Sequence, residues 1–185
     1  MYKAVMIGGS AGSFQVVSKI LNALPENFPL PVFLCLHRLK HIRSGFVEAL
    51  SIKSNIPVIE PNDKELVKAG RAYLAPANYH MYIELGNRIA LSTEEQVNHS
   101  RPSIDLSFIT AAQAYREGLV GIILSGANKD GALGIKKIHD LKGLTIVQDP
   151  LDCQVKTMTE AAINTSPVDY VLKTSGIIDF LLKLK

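Results

Sequence analysis

The sequence predicts an α/β protein with a doubly wound, mainly parallel sheet, helices on both faces and an inserted antiparallel β-hairpin. Continuous apolar runs such as 31–36 and 119–125 are typical of strands that are buried on both faces. These runs alternate with segments whose apolar residues recur every three or four positions, which indicates helices between the strands. The pair Gly86-Asn87, between short strands within 72–92, predicts a hairpin turn.

The first elements follow directly from these patterns. The apolar run 2–7 predicts a buried strand, and 31–36 predicts the next strand along the chain. Between them, residues 13–24 place apolar side chains on one helical face, and Pro25 ends that helix. The apolar residues of this face are Phe14, Val17, Ile20, Leu21 and Leu24.

The middle of the chain is less regular. Residues 45–54 predict a helix and 56–60 a third strand. The segments AYLA, HMYIEL and GNRIALS within 72–92 predict short strands, and 93–100 is polar and predicts a loop.

The second half returns to strict alternation. Residues 103–117 predict a helix, because Pro102 and Ser103 are typical of a helix start. The run 119–125 is the most strand-like segment of the chain. The remaining elements are predicted helices at 131–142, 159–164 and 175–185 and a predicted strand at 144–148.

Composition limits the class of protein. A chain of 185 residues that is 47% hydrophobic fits one domain, residues 1–185, with a sizeable core. The net charge of +3 is too small to indicate nucleic-acid binding, and no apolar run reaches the length of a membrane span. Cys35 and Cys153 are isolated cysteines, which is typical of a reduced, cytoplasmic protein.

The stretch VMIGGSAGSF (5–14) follows the first strand and is the first candidate site. Its glycines fail the GxGxxG spacing of dinucleotide-binding loops, and it lacks the Gly-Lys pair of a phosphate-binding P-loop. It matches GxSxG, in which a serine lies on a sharp turn between a strand and a helix. Ser10 is therefore either a nucleophile or a cap of the helix that follows.

Two further residues strengthen the nucleophile hypothesis. His37 ends the second strand, and Asp130 lies in the glycine-rich turn after strand 119–125. Because the carboxyl ends of parallel strands share one edge of a sheet, both side chains are expected near Ser10 as base and orienting acid. The alternatives are a histidine in a loop with satisfied hydrogen bonds, the interpretation given to the other four histidines, and an aspartate that caps the helix after Gly131.

Several segments in this order resemble the catalytic domain of the CheB-type protein-glutamate methylesterases of chemotaxis. The resemblance runs from Ala4 to about Val171. The matching segments are IGGSAG, the strand-terminal His37, YLAPANYHM (73–81), RPSIDLSF (101–108), LSGANKDGALG (124–134) and VQDP with AAI (147–163).

The resemblance implies a serine hydrolase that removes methyl esters from glutamate side chains of chemoreceptor helices, and that also deamidates glutamines there. It implies a triad of Ser10, His37 and Asp130, with no metal or cofactor. The expected partners are methylated cytoplasmic receptor helices, without nucleic acid and without membrane insertion. Backbone amides near Ala11 and Gly12 are expected to stabilise the oxyanion, and the sequence does not assign the individual donors.

Other contacts are expected around the triad. Ala127 is a further candidate for oxyanion or substrate binding. Arg38 begins a basic cluster that either contacts an acidic substrate helix or is a solvated loop surface. The cluster contains Arg38, Lys40, His41 and Arg43.

The sequence departs from the family pattern around the triad. The family usually has Thr-Gly-Gly at 11–13, Met-Pro at 38–39, Gly-Met-Gly at 126–128 and Gly-Met-Pro at 157–159, where this chain has Ala-Gly-Ser, Arg-Leu, Gly-Ala-Asn and Thr-Met-Thr. These departures motivate an alternative function, a catalytically weak or inactive module that binds a receptor or a signalling partner. The family's usual N-terminal receiver domain has no counterpart here, so the chain is expected to be either a stand-alone catalytic domain or part of a longer protein.

Overall fold

A computed structural model describes residues 1–37 and 45–184. The strands are β1 (Ala4–Gly9), β2 (Val32–Leu36), β3 (Val58–Ile59), β4 (Ala72–Leu74), β5 (His80–Glu84), β6 (Arg88–Ser92), β7 (Leu119–Ile123), β8 (Leu144–Gln148) and β9 (Tyr170–Leu172). The helices are α1 (Ser13–Ala23), α2 (Phe46–Ser51), α3 (Ile104–Tyr115), α4 (Ala132–Asp140), α5 (Thr157–Thr165) and α6 (Thr174–Leu181). Short 3₁₀ turns lie at Arg116–Gly118 and Pro150–Asp152.

Seven strands form one parallel sheet in the order β3-β4-β2-β1-β7-β8-β9. The chain builds outward from β1 through β2 and then returns to place β7 on the other side of β1. The direction of winding therefore changes between β1 and β7, and a crevice at the carboxyl ends of the strands is expected there. The predicted doubly wound sheet is confirmed.

Side chains of β1 show why both faces of the sheet are apolar. Val5 and Ile7 belong to one core, with α1, α2 and α6, while Ala4 and Met6 belong to the other, with α3, α4 and α5. Alternate residues of a strand point to opposite faces, so an uninterrupted apolar run is needed where helices cover both.

The predicted hairpin is also confirmed, with one difference. β5 and β6 form a separate antiparallel pair, and Glu84 pairs with Arg88 around the predicted turn at Gly86-Asn87. The AYLA segment, by contrast, supplies β4 to the main parallel sheet, because its buried residues pair with β2 and β3.

Three other elements differ from the sequence-based predictions, two of them near the end of the chain. β9 is not predicted from the sequence, since it has three residues and two of them, Tyr170 and Val171, are exposed. α2 is shorter than the predicted 45–54 and α6 ends before the predicted 185. Among the helices that the structure describes, none is long and apolar enough to cross a membrane.

Candidate active site

The sequence-predicted triad residues lie at the carboxyl edge of the sheet, on both sides of its switch point. Ser10 follows β1, His37 follows β2, and Asp130 lies in the loop between β7 and α4. Pairing of β1 with both neighbours fixes this arrangement: the His37 amide donates to Gly9 O at 3.0 Å, and the Ser10 amide donates to Ser125 O at 2.9 Å.

The Ser10 loop (residues 10–12) turns sharply from β1 into α1. Gly12 precedes the helix in the left-handed conformation, with φ of 83°, and no side chain caps the helix start. The alternative in which Ser10 caps this helix is therefore wrong, because the cap residue is Gly12 and, among the described residues, no first-turn amide of α1 donates to the Ser10 hydroxyl. Instead Ser13 Oγ donates to Ser10 O at 2.7 Å and closes the loop from within.

Buried Ser125 connects the Ser10 loop with the loop before α5. Its hydroxyl donates to Ala11 O at 2.7 Å and accepts from the Val155 amide at 3.0 Å. A Cβ at Gly12 would lie 2.8 Å from Ser125 Oγ and 2.6 Å from Gln154 Cβ. Glycine is thus required at position 12 for its conformation and for the close approach of the neighbouring loop.

The Asp130 carboxylate lies at the start of α3 rather than of α4. It is fully buried, and it accepts from Ile104 N at 2.7 Å and Asp105 N at 3.0 Å, two amides of the first turn of α3. Ser103 Oγ, which also accepts from the Leu106 amide, donates to it at 3.1 Å. The sequence-based alternative that Asp130 caps α4 is wrong, since the cap residue is Gly131 and the first-turn amide of Gly134 donates to Asp105 instead.

These contacts determine the charge state of Asp130. Burial opposes ionisation, but hydrogen bonds from His37 and from the Ile104 and Asp105 amides outweigh it and lower the pKa of Asp130 below its ordinary value. The positive end of the α3 dipole also favours a carboxylate at this position. Asp130 is therefore ionised at neutral pH.

A second buried carboxylate supports the first. Asp105 Oδ1 accepts from the amides of Gly131 and Gly134 at 2.9 and 2.7 Å, which ties α3 to the start of α4. Burial raises the pKa of Asp105 above its ordinary value, and the nearby negative charge of Asp130 raises it further. Hydrogen bonds from the Gly131 and Gly134 amides lower this pKa but do not cancel the rise. The Asn98 amide donates to both carboxylates, at 3.0 Å to Asp105 and 3.2 Å to Asp130.

His37 forms a hydrogen bond with Asp130 and lies at the surface of the crevice. Its Nε2 is 2.8 Å from Asp130 Oδ2, and 13% of its side chain is exposed. Because an ionised carboxylate only accepts hydrogen bonds, Nε2 carries a proton, and in the neutral form of the ring the lone pair is on Nδ1. Within the described residues, no hydrogen bond joins this ring to Ser10 Oγ; the Asn128 amide lies 3.4 Å from Nδ1.

Backbone groups at the same edge are available to a ligand. Ala11 is exposed and Gly12 half-buried, and among the described residues neither amide has a hydrogen-bond acceptor. Ala127 is exposed beside Asn128 in the loop between β7 and α4. Arg38 and the rest of the predicted basic cluster lie outside the described residues.

Three polar residues at the site were missed by sequence reasoning. Asn98 and Ser103 donate to Asp130, and Asn128 contacts His37. The Ser103-Ile-Asp105 sequence was a detectable signal, since it marks a helix start with free amides.

His80 lies in β5 and is fully buried, whereas the sequence analysis placed it in a loop. Its ring forms hydrogen bonds with Glu95 O at 2.9 Å and with the Ser103 amide at 3.1 Å.

A metal site would need a cluster of ligands. In the part of the chain that the structure describes, no group of three or more His, Cys, Asp or Glu side chains could hold a metal ion.

The family model for the CheB methylesterase domain matches residues 5–181. The chain belongs to the CheB methylesterase family. The match begins one residue into β1 and ends at the last residue of α6, so it includes every strand of the sheet and each of the predicted triad residues.

Curated relatives agree in sequence. A Leptospira interrogans protein, named as a candidate protein-glutamate methylesterase/protein-glutamine glutaminase, is 41% identical over 99% of this chain and 95% of its own length. The Clostridium acetobutylicum protein-glutamate methylesterase/protein-glutamine glutaminase is 32% identical over 98% of this chain. This chain spans 53% of the Clostridium protein, about half its length.

The fold agrees with a solved structure of the family. The catalytic domain of the Thermotoga maritima CheB methylesterase is similar over the full length of both chains, with a TM-score of 0.94 and 30% sequence identity.

Proposed function

We propose that this protein is a serine hydrolase that removes methyl esters from glutamate side chains of chemoreceptors, with Ser10, His37 and Asp130 as its triad. The observation that carries the proposal is the 2.8 Å bond between His37 and the buried Asp130, at the sheet edge where the Ser10 loop ends β1. Family membership and the names of the relatives support the same reaction class.

Proton transfer starts at the free ring nitrogen. His37 Nδ1 takes the proton of the Ser10 hydroxyl as Oγ forms a bond to the ester carbonyl carbon. Asp130 accepts the Nε2 hydrogen bond throughout and stabilises the imidazolium that forms. Amides of Ala11 and Gly12 donate to the developing oxyanion, as do other donors near Ala127.

The methoxy leaving group takes up the proton that His37 Nδ1 received from Ser10. The bond from carbon to methoxy oxygen breaks, and His37 Nδ1 gives its proton to that oxygen, which releases methanol and leaves an acyl-enzyme on Ser10. Water then attacks the acyl carbon and gives a proton to Nδ1, and collapse of the intermediate frees glutamate and restores the Ser10 hydroxyl. A glutamine side chain follows the same steps with ammonia as leaving group, which gives a glutaminase activity.

The substrate and location follow from the same proposal. Its substrates are methylated cytoplasmic helices of chemoreceptors or of a related protein, so we place the protein in the cytoplasm. We also propose that Ala127 and Arg38 contact that substrate.

Methanol release from a methylated receptor tests the proposal. We expect wild-type protein to release methanol and Ser10→Ala to lose at least about 1,000-fold in rate, because removal of a triad nucleophile leaves only residual catalysis. Ser18→Ala, a serine further along α1, is the matched control and should keep full activity. An active Ser10→Ala protein would refute the triad.

The non-catalytic alternative has its own outcome in this assay. If neither the wild type nor any variant releases methanol from methylated receptors, and a fluorophosphonate adds no mass to Ser10, the protein is a binding module. Labelling of Ser10 in the wild type, without receptor hydrolysis, would keep the triad and move the substrate to another protein.

A further inference from the structure

Asn128 lies against the base of the proposed triad. Its Nδ2 is 3.4 Å from His37 Nδ1, and its Oδ1 accepts from the Asp130 amide at 3.1 Å. The second contact fixes the orientation of the side-chain amide, because the oxygen is the atom that must face the Asp130 N–H. The NH₂ group is thereby directed at the ring of His37.

The Asn128 amide and the Ser10 hydroxyl need the same electron pair. Asp130 occupies Nε2, so the neutral ring has one lone pair left, on Nδ1. Asn128 donates to it in the structure, whereas no bond from Ser10 Oγ to the ring is present in the described part of the chain. An imidazole nitrogen lone pair accepts one hydrogen bond, so the two donors exclude each other.

From this contact we propose that Asn128 is a positioning residue that holds His37 in a resting state and competes with Ser10 for Nδ1. The inference rests on the proposed function, because it assigns Nδ1 as the base. Asp130 already fixes the ring tautomer, so the distinct effect of Asn128 is to occupy the base. Activation of Ser10 requires the Asn128 amide to leave Nδ1 when the substrate enters the crevice.

Three variants separate the two contacts of Asn128. Asn128→Ser keeps an oxygen for the Asp130 amide, as serine does in short local turns, but its side chain is too short to reach the ring. Asn128→Asp keeps the same shape and the same oxygen while replacing the donor with an acceptor. Lys129→Ser, at the exposed neighbouring position, is the matched control.

The rate of Ser10 phosphonylation by a fluorophosphonate and kcat/KM for methanol release are the kinetic readouts. We expect Asn128→Ser to raise both by about 2- to 10-fold, the size of one neutral hydrogen bond. Asn128→Asp should lower both at least about 10-fold, since a carboxylate in that place accepts a hydrogen bond from protonated Nδ1 and so favours the ring form without a lone pair there. Lys129→Ser should change neither.

The ¹⁵N signal of His37 Nδ1 gives a readout independent of turnover. Asn128→Ser should move it toward the shift of a free imidazole nitrogen, with the melting temperature unchanged. If Asn128→Ser folds poorly, the ¹⁵N signal of the folded Asn128→Asp protein, in which the donor to Nδ1 is also removed, serves as the second measurement.

Two results overturn the proposal: an unchanged Nδ1 signal, or a shifted signal with an unchanged or lower phosphonylation rate. An active Ser10→Ala protein would instead overturn the proposed function, and the Nδ1 signal would still report whether the Asn128 contact exists.

Discussion

Gly12 determines the shape of the Ser10 loop, and its contribution can be divided into two parts. One part is the left-handed backbone, with φ of 83°, which strains any residue with a Cβ. The other is the contact with Ser125 and Gln154, whose side chains would lie within 3 Å of that Cβ. Gly45 provides a comparison, since its φ is 87° but a Cβ there would meet no atom of the described residues within 4 Å.

We therefore predict that Gly12→Ala is clearly more harmful than Gly45→Ala. Gly45→Ala should cost about 1 kcal/mol of unfolding free energy from backbone strain alone. Gly12→Ala should cost about 2–4 kcal/mol, because strain and overpacking add, and should lower esterase activity at least about 10-fold. Urea unfolding and methanol release measure the two effects, and equal costs for both variants would contradict the packing argument.

The proposed triad residues could be predicted from the sequence, but their hydrogen-bond partners could not. GxSxG, a strand-terminal histidine and an aspartate in a later glycine-rich turn were sufficient to select Ser10, His37 and Asp130. The partners of Asp130 were not predictable in the same way, because Asn98 lies 32 residues before it in the chain. Only the packing of α3 beside the loop after β7 brings them together.

At the scale of elements, Asp130 joins α3 to the loop between β7 and α4. Because its pKa is lowered in the folded protein, its carboxylate stabilises the fold at pH values above the ordinary value of 3.8, and this contribution is lost as the pH falls below that value toward the lowered one.

We predict that Asp130→Asn lowers the unfolding free energy by about 1–3 kcal/mol near pH 6, where a charged acceptor is replaced by a neutral one. The difference from the wild type should shrink as the pH drops below 3.8, because the wild-type carboxyl then becomes neutral too. Urea unfolding of both proteins across pH 2.5–7 measures this difference in unfolding free energy.

Asp140→Asn is the control for this pH series. Asp140 pairs with Lys136 on the exposed face of α4, and that hydrogen bond lowers the pKa of Asp140. Solvent screens such a pair, so the change in stability should be much smaller. A pH-independent deficit in Asp130→Asn would show that its effect is steric.

The elements themselves were largely predictable because most are long or strongly apolar. β8 was predicted residue for residue, and α1 within one residue. β9 was not, since a three-residue exposed strand is recognised only by its pairing with β8. The position of β4 in the parallel sheet was hidden for a similar reason: three residues carry too little pattern to distinguish a hairpin strand from a sheet strand.

The whole molecule has two cores that share one sheet. Ile20 of α1 lies in one core and Ile135 of α4 in the other, and both are fully buried. Because alternate residues of each central strand enter opposite cores, neither core persists without the sheet. We propose that residues 1–185 are a single domain.

Cooperative unfolding tests the single domain. We predict coincident urea transitions by far-UV circular dichroism and by tyrosine fluorescence, since the chain has six tyrosines and no tryptophan. Ile20→Ala and Ile135→Ala should each lower stability by about 2–4 kcal/mol and shift both signals together. Separate midpoints for the two signals, or a shift of only one in either variant, would indicate independent halves.

The sheet order has a consequence for a chain that is still being synthesised. β1, β2 and their neighbours at one side of the sheet are translated first, and they carry the serine and the histidine. The carboxylate that orients the histidine is translated 93 residues after it, on a loop that takes its place only when β7 pairs with β1. A ribosome-bound fragment that ends before β7 therefore lacks an oriented base. Under the proposed triad, hydrolysis begins only once the central strands are paired, and an unfinished chain is not a premature esterase.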